Sequence, residues 1–129
     1  MFRWVDHTSE LELEIAASSE EEIFGEALAA VAELAGEADG PPTTKAIEVE
    51  ADDRALLLVE WLSELIYLSE TDELLPVRVT TLDLADGKLR ATVQARHGRP
   101  RHLVKAVTLH RLEFTRDDGE WRARVVLDV

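Results

Sequence analysis

The segment at residues 55–68, Ala-Leu-Leu-Leu-Val-Glu-Trp-Leu-Ser-Glu-Leu-Ile-Tyr-Leu, constrains the fold more than any other part of the chain. It is long enough for about four helical turns and is apolar on most of its sides. Asp52 and Asp53 precede it, and an aspartate just before a periodic apolar segment marks a helix N-terminus. We therefore predict a helix that extends to about Ser69 and is buried on more than one face.

A second helix is predicted between Ser18 and Gly36. Two serines followed by three glutamates are typical of a helix N-terminus, because free backbone amides and the helix dipole favour hydroxyls and carboxylates there. Glycine is a common helix terminator. The apolar residues between these ends recur at helical spacing: Ile23, Phe24, Ala27, Leu28, Val31 and Leu34.

Alternating apolar and polar residues predict strands in the rest of the chain. Turn signals at residues 86–87 and 117–119 separate the later strands. The predicted strands lie at residues 2–5, 11–17, 47–49, 77–84, 89–95, 106–114 and 121–128.

The order of elements is thus two strands, a helix, a strand, a helix and four strands. Helices and antiparallel strands are segregated along the sequence, which is typical of an α+β fold. We predict a two-layer sandwich in which a mostly antiparallel β-sheet packs against two main helices. No linker, repeat or low-complexity segment interrupts the sequence, so residues 1–129 are expected to form one domain.

The charge balance restricts the partners of the protein. The chain has 27 acidic and 14 basic side chains and a net charge of −13 at pH 7. Such a field repels free nucleic acid and anionic membranes, and it favours cations and basic protein partners. Cysteine is absent, which excludes disulfides and thiolate metal sites. The first residues also lack the apolar core of a signal peptide, so we expect a cytoplasmic protein without a membrane segment.

Acidic residues are found near both ends of the sequence. Asp6-His7-Thr8-Ser9-Glu10 lies near the start, and Asp128 and the Val129 α-carboxylate end the last strand. Anionic groups so close together repel each other unless a cation or a donor joins them. If the first and last strands are neighbours, Glu10 could face Asp128, and their oxygens would suit Ca²⁺ or Mg²⁺. The alternative is a set of solvated acids at strand ends.

Basic residues offer fewer candidates. His7 and His110 lie within predicted strands, although a lone strand histidine is more often structural. Lys105 begins a strand, where it could cap an edge, counter the acidic groups or contact a phosphate. Residues 96–105, called the basic loop below, are the one basic segment. They form either a solvated loop or an RNA contact.

No catalytic template is present. The sequence has no glycine-rich phosphate loop, no His-Glu-x-x-His helix and no nucleophile elbow. We therefore predict that the protein is not an enzyme and takes no small-molecule substrate.

Four segments, in this order, resemble the archease family. They are Asp-His-Thr-Ser-Glu at residues 6–10, Glu-Trp-Leu-Ser-Glu-Leu-Ile-Tyr-Leu at 60–68, Lys-Ala-Val-Thr-Leu-His at 105–110, and Trp-Arg-Ala-Arg-Val-Val-Leu-Asp-Val at 121–129. The resemblance covers the whole chain, and the aspartate followed by a hydrophobic residue at the end makes it specific.

The resemblance implies a role beside another enzyme. Archeases assist the 3′-phosphate tRNA-splicing ligase, which joins RNA ends through a guanylylated histidine, by promoting guanylylation and multiple turnover. The family's divalent cation, seen as calcium, would map onto Glu10, Asp128 and Val129, with Mg²⁺ or Mn²⁺ possible in function. The family's activating lysine matches Lys105. Three further residues of the matching segments are candidates for activating the partner: Asp6, His7 and His110.

Two positions depart from the family pattern. Glu10 stands where the family usually has Asp, which keeps the carboxylate but lengthens its reach. Arg111 stands where the family often has an acid after the late-strand histidine, which reverses a charge near the candidate site.

Three other functions remain open on the sequence. The protein could be a chaperone or scaffold for nucleic-acid-processing enzymes with no metal role. It could be a metal-dependent hydrolase that uses the same carboxylates. It could also bind RNA directly through basic residues: Arg96, Arg99, Arg101 and Lys105.

Overall fold

Two helices and seven strands follow one another in the predicted order, in a computed structural model that describes residues 1–129. The elements are β1 (Phe2–His7), β2 (Glu10–Ala17), α1 (Glu20–Ala35), β3 (Pro42–Glu50), α2 (Arg54–Thr71), β4 (Leu74–Ala85), β5 (Lys88–His97), β6 (Ala106–Asp117) and β7 (Glu120–Asp128). The α+β class is confirmed.

The strands divide into two antiparallel sheets. The terminal sheet has the order β1-β2-β7-β6, and the central sheet has the order β3-β5-β4. The sequence predicted a mostly antiparallel arrangement but not this division, because alternation shows which residues face a core and not which strands pair. The first two and the last two strands of the chain therefore share one sheet.

Helix α1 begins and ends at the predicted signals. The Ser19 hydroxyl accepts a hydrogen bond from the Glu22 amide at 3.2 Å, which satisfies one of the free amides at the helix start. The Ser18 hydroxyl donates to the Glu22 carboxylate at 3.0 Å. At the other end Gly36 has a φ of 91°, a conformation that glycine adopts without strain.

Helix α2 is buried on more than one face, as predicted. Asp53 accepts a hydrogen bond from the Leu56 amide at 2.8 Å and caps the helix. The helix contacts α1, strands β3 and β4 of the central sheet and β6 of the terminal sheet. Trp61 is fully buried, and its indole Nε1 donates to the Phe24 carbonyl of α1 at 2.9 Å. This bond satisfies the only polar atom of the Trp61 side chain inside the core.

The basic loop is held against α1, α2 and β4. The Arg101 amide donates to the Ala35 carbonyl at 2.8 Å, and the Val104 amide donates to the Glu70 carboxylate at 2.7 Å. Arg99 lies 3.6 Å from Glu73. Several polar groups of this segment are therefore bound to neighbouring elements of the protein.

Neither helix is long and apolar enough to cross a membrane.

Candidate functional site

Pairing between β2 and β7 places Glu10 directly opposite Asp128. The condition set on the sequence is met, because β2 and β7 are neighbours in the terminal sheet and these two residues are partners in their register. The Val129 amide donates to the Ser9 carbonyl at 3.3 Å, and the Lys105 amide donates to the Asp128 carbonyl at 2.8 Å. The last two residues are thus held between the β1–β2 turn and the start of β6.

A tight turn brings the N-terminal acidic segment to the same edge of the sheet. His7 pairs with Glu10 across the β1–β2 hairpin, and Ser9 in the turn has a φ of 62°. Asp6 is opposite Leu11, so its side chain lies on the face that Leu11 shares with the core, whereas the Glu10 side chain lies on the outer face. Asp6 is therefore not on the face that carries the Glu10–Asp128 pair.

An open cleft of about 490 Å³ lies at this end of the sheet. Glu10 and Val129 line it together with Asp6 and His7. His102 and Leu103 of the basic loop also line it, and Leu103 is 70% exposed. Most of the predicted site residues thus meet at one cleft that is accessible from outside.

Three predicted residues, Asp128, Lys105 and His110, do not line this cleft. Lys105 is exposed and directly precedes β6, where Ala106 pairs with Asp128. His110 is also exposed, and its backbone amide donates to the Thr108 hydroxyl at 3.3 Å. The structure brings Lys105 next to the acidic pair through its backbone, whereas His110 lies within an irregular part of β6.

Glu12 belongs to the acidic surface, although the sequence did not single it out. It follows Glu10 by two residues, so both carboxylates lie on the outer face of β2. Glu12 is only 9% exposed, an unusual burial for a carboxylate. His7 Nε2 lies 3.6 Å from its Oε1. The spacing of two residues from Glu10 was the signal that could have identified it.

The side chain of Arg111 joins the two glutamates. Its Nη2 donates to Glu12 Oε1 at 2.8 Å and lies 3.8 Å from Glu10 Oε2. Arg111 is in β6, and β7 lies between β6 and β2, so the side chain has to pass over β7. On β7, Val126 pairs with Glu12 on one side and Thr108 on the other and is fully buried, although it is outside the main core cluster.

A bulge in β6 makes this reach possible. The β6–β7 register is regular to Thr108 and resumes at Glu113 with a shift. Arg111 lies inside the interruption with a φ of 54°, a left-handed conformation that is uncommon for a residue other than glycine. Arg124 Nε donates to the Arg111 carbonyl at 3.0 Å, which fixes the backbone of the bulge.

The carboxylate oxygens of the candidate site are chemically suited to a hard divalent cation. Glu10, Asp128 and the Val129 carboxylate are the kind of ligands that Ca²⁺ and Mg²⁺ take. No group of three or more His, Asp or Glu side chains is arranged to hold a metal ion. The candidate site therefore depends on two side-chain carboxylates and the α-carboxylate, with a guanidinium nearby.

Comparison with known proteins shows the same family over the whole chain. The family described as "Archease protein family (MTH1598/TM1083)" matches residues 2–129. The archease of Methanosarcina barkeri is 31% identical over 140 residues, covering 99% of this chain and 95% of the relative. The archease of Methanopyrus kandleri is 31% identical over 137 residues, covering 97% and 96%.

Solved structures agree with the fold. The solution structure of Methanobacterium thermoautotrophicum protein 1598 has a TM-score of 0.72 and 29% identity, covering 99% of this chain and 98% of that one. The crystal structure of a Thermotoga maritima archease, described as a possible chaperone, has a TM-score of 0.70 and 24% identity, covering 100% and 98%. The second likeness bears on the fold alone. Since the family match extends from residue 2 to residue 129 and the relatives are matched over nearly their full lengths, the chain belongs to the archease family.

Proposed function

We propose that this archease activates the 3′-phosphate tRNA-splicing ligase, promoting its guanylylation and multiple turnover in RNA ligation or repair. In this role the protein is an accessory to the ligase and not itself a catalyst. The observation that carries the proposal is the pairing of Glu10 with Asp128 in a chain of the archease family, because these are residues onto which the family's cation ligands would map. We propose Glu10, Asp128 and the Val129 carboxylate as the ligands.

The residues of this chain would bind the divalent cation and position it for the ligase. A bound divalent cation would screen phosphate charge during nucleotidyl transfer at the partner's active site. Glu10 and Asp128 would hold it at an accessible edge of the protein, and the net charge of −13 would steer this edge toward a basic, RNA-binding partner. Lys105 is exposed beside Asp128, where it could contact the ligase or a phosphate.

Direct RNA binding has less support. In the basic loop, Arg99 is close to Glu73, and Arg96 Nη1 donates to the Gly40 carbonyl at 3.2 Å. These contacts favour a structural role for the loop.

The test compares Asp128→Asn with the wild type in assays of ligase guanylylation and multiple-turnover RNA joining. We expect the wild type to stimulate the ligase and Asp128→Asn to lose stimulation by about tenfold or more, since even outer-shell changes at metal sites commonly cost that much affinity. Asp83→Asn is the matched control, because it removes an exposed carboxylate from the central sheet with the same change in charge. Equal ligase turnover with wild type and Asp128→Asn would contradict the cation role.

A chaperone or scaffold without a metal role is the second candidate. The absence of a three-residue ligand cluster and the guanidinium beside Glu10 favour it. Stimulation of the ligase that is equal for wild type and Asp128→Asn, together with no heat of binding for Ca²⁺, Mg²⁺ or Mn²⁺, would support this alternative.

A further inference from the structure

We propose that Arg111 is a tethered counter-cation that competes with a divalent metal ion for the Glu10 carboxylate. The inference rests on the cation site proposed above and concerns how strongly that site binds. The guanidinium is bound to Glu12 and lies beside Glu10, so an ion that binds Glu10 must do so against this positive charge or move it away.

The distances show a guanidinium shared unequally between two acids. Arg111 Nη2 makes a hydrogen bond of 2.8 Å with Glu12 Oε1, whereas its distance of 3.8 Å to Glu10 Oε2 is too long for a hydrogen bond. Glu12 is the more buried of the two, with 11% side-chain exposure against 34% for Glu10. Glu12 therefore anchors the guanidinium, and Glu10 can release it without leaving Glu12 unpaired.

The guanidinium of Arg111 and a divalent ion at Glu10 repel each other, so each weakens the binding of the other. An ion bound to Glu10 at a usual oxygen distance of about 2.4 Å would lie only a few ångströms from the guanidinium. Repulsion between charges that close is substantial even in a high dielectric. This repulsion lowers the affinity of Glu10 for the ion as long as the guanidinium stays beside it.

The backbone supports a fixed position for this arginine. The bulge in β6 projects Arg111 across β7, and the Arg124 bond to the Arg111 carbonyl holds the bulge in place. If the β6–β7 ladder continued regularly from Thr108, Arg111 would be opposite Ala123 on the core face and not on the face that carries Glu12.

The test measures calcium affinity of the isolated full chain by titration calorimetry. We expect Arg111→Gln to tighten binding by about tenfold, because one positive charge near the ligand is removed. Arg3→Gln is the matched control. Arg3 lies on the same outer face and pairs with Glu14 at 2.7 Å, so the control loses the same charge about 13 Å along the strand from Glu10. Equal calcium affinity in Arg111→Gln and Arg3→Gln would overturn the inference and leave the proposed cation site standing.

A second variant tests the anchor. Glu12→Gln should weaken calcium binding more than Glu14→Gln does, since the guanidinium freed from Glu12 would move onto Glu10. In the Arg111→Gln background the extra effect of Glu12→Gln should shrink to the loss of one nearby negative charge, which a double-mutant cycle detects as non-additivity. Additive effects would contradict the shared guanidinium.

A measurement on the unaltered protein avoids any effect of the substitutions on folding. Adding calcium should shift the NMR signal of the Arg111 Nε–H group and leave that of Arg3 in place. An unmoved Arg111 signal at calcium saturation would overturn the inference. If neither the wild type nor a folded Arg111→Gln variant binds calcium, the proposed cation site itself fails along with the inference.

Discussion

Two glycines of this protein lie in opposite steric surroundings. A Cβ atom at Gly40 would lie 2.2 Å from the His97 carbonyl oxygen, because the Gly40 amide donates to that carbonyl and the two backbones approach closely. A Cβ at Gly25, inside helix α1, would have no atom within 4 Å. Gly40 is required because no side chain fits between the two backbones, whereas Gly25 only weakens the helix that contains it.

The two alanine substitutions should therefore change stability in opposite directions. Gly25→Ala should raise the free energy of unfolding by about 0.5–1 kcal/mol, the usual cost of glycine in a helix interior. Gly40→Ala should lower it by about 1–3 kcal/mol, because the backbone must move to relieve the clash. Urea denaturation of both variants and the wild type measures the difference. A destabilised Gly25→Ala variant or a neutral Gly40→Ala variant would contradict this steric account.

At the same scale, the sequence identified part of the candidate site. Glu10 and Asp128 could be named as candidates because each lies at the end of a predicted strand, whereas their pairing had to come from the structure. The contact of Arg111 with Glu12 was not, because it depends on a bulge that shifts the register after Thr108. A periodic pattern cannot show where a strand departs from its period.

Among the elements, β3 and β5 carry a ladder of charges across their pairing. Lys88 Nζ lies 2.9 Å from Glu48 and 3.3 Å from Glu50, and Arg90 Nε lies 3.3 Å from Glu48. The hydrogen bond from Lys88 holds the pKa of the Glu48 carboxyl below its ordinary value of 4.5, although desolvation opposes it, and Arg90 adds to the lowering. The same bond, with help from Glu50, raises the pKa of Lys88 above 10.5.

These pKa shifts predict when the ladder supports the fold. A lowered carboxyl pKa contributes stability above pH 4.5, and this contribution is lost as the pH falls through the pKa of the folded protein. Lys88→Gln should return the Glu48 titration toward its ordinary value and reduce the acid dependence of stability. Carboxyl NMR titration of Glu48 in both proteins measures this, and Arg78→Gln on β4 provides a charge-matched control. An unchanged Glu48 titration in Lys88→Gln would show that the lysine is not the cause.

The helices were the most predictable elements because their ends carry local signals. Ser19 and Asp53 cap α1 and α2 as their positions in the sequence indicate, and Gly36 follows α1. The strands were identified in the right order, but β3 and β4 are longer than their alternation predicted. Pairing and length depend on distant partners, which no local pattern contains.

The whole molecule carries much more negative than positive charge. Its net charge of −13 at pH 7 is spread over a single small fold, so its acids repel one another in the folded state. Most of the ion pairs involve exposed side chains, which contribute little to stability individually. Self-repulsion is therefore expected to lower the free energy of unfolding when little salt is present.

Added salt should stabilise the protein by about 1 kcal/mol, because the screening length falls from about 30 Å at 0.01 M to about 10 Å at 0.1 M. Urea denaturation at both salt concentrations at neutral pH measures this change. Near the isoelectric point of about 4.6 the same increase in salt should have little stabilising effect, which separates charge screening from other actions of salt. Destabilisation by salt at neutral pH would contradict the account.

The division into two sheets also determines which sheet can form first while the chain is being synthesised. The central sheet needs no residue beyond His97, so its strands can pair while later residues are still being added. The terminal sheet joins Glu10 to Asp128, and strand β2 must wait for β7 to leave the ribosome. Until then the backbone edge of β2 lacks the strand with which it pairs. The acidic edge proposed to bind the cation therefore forms only after every strand of the central sheet has been synthesised.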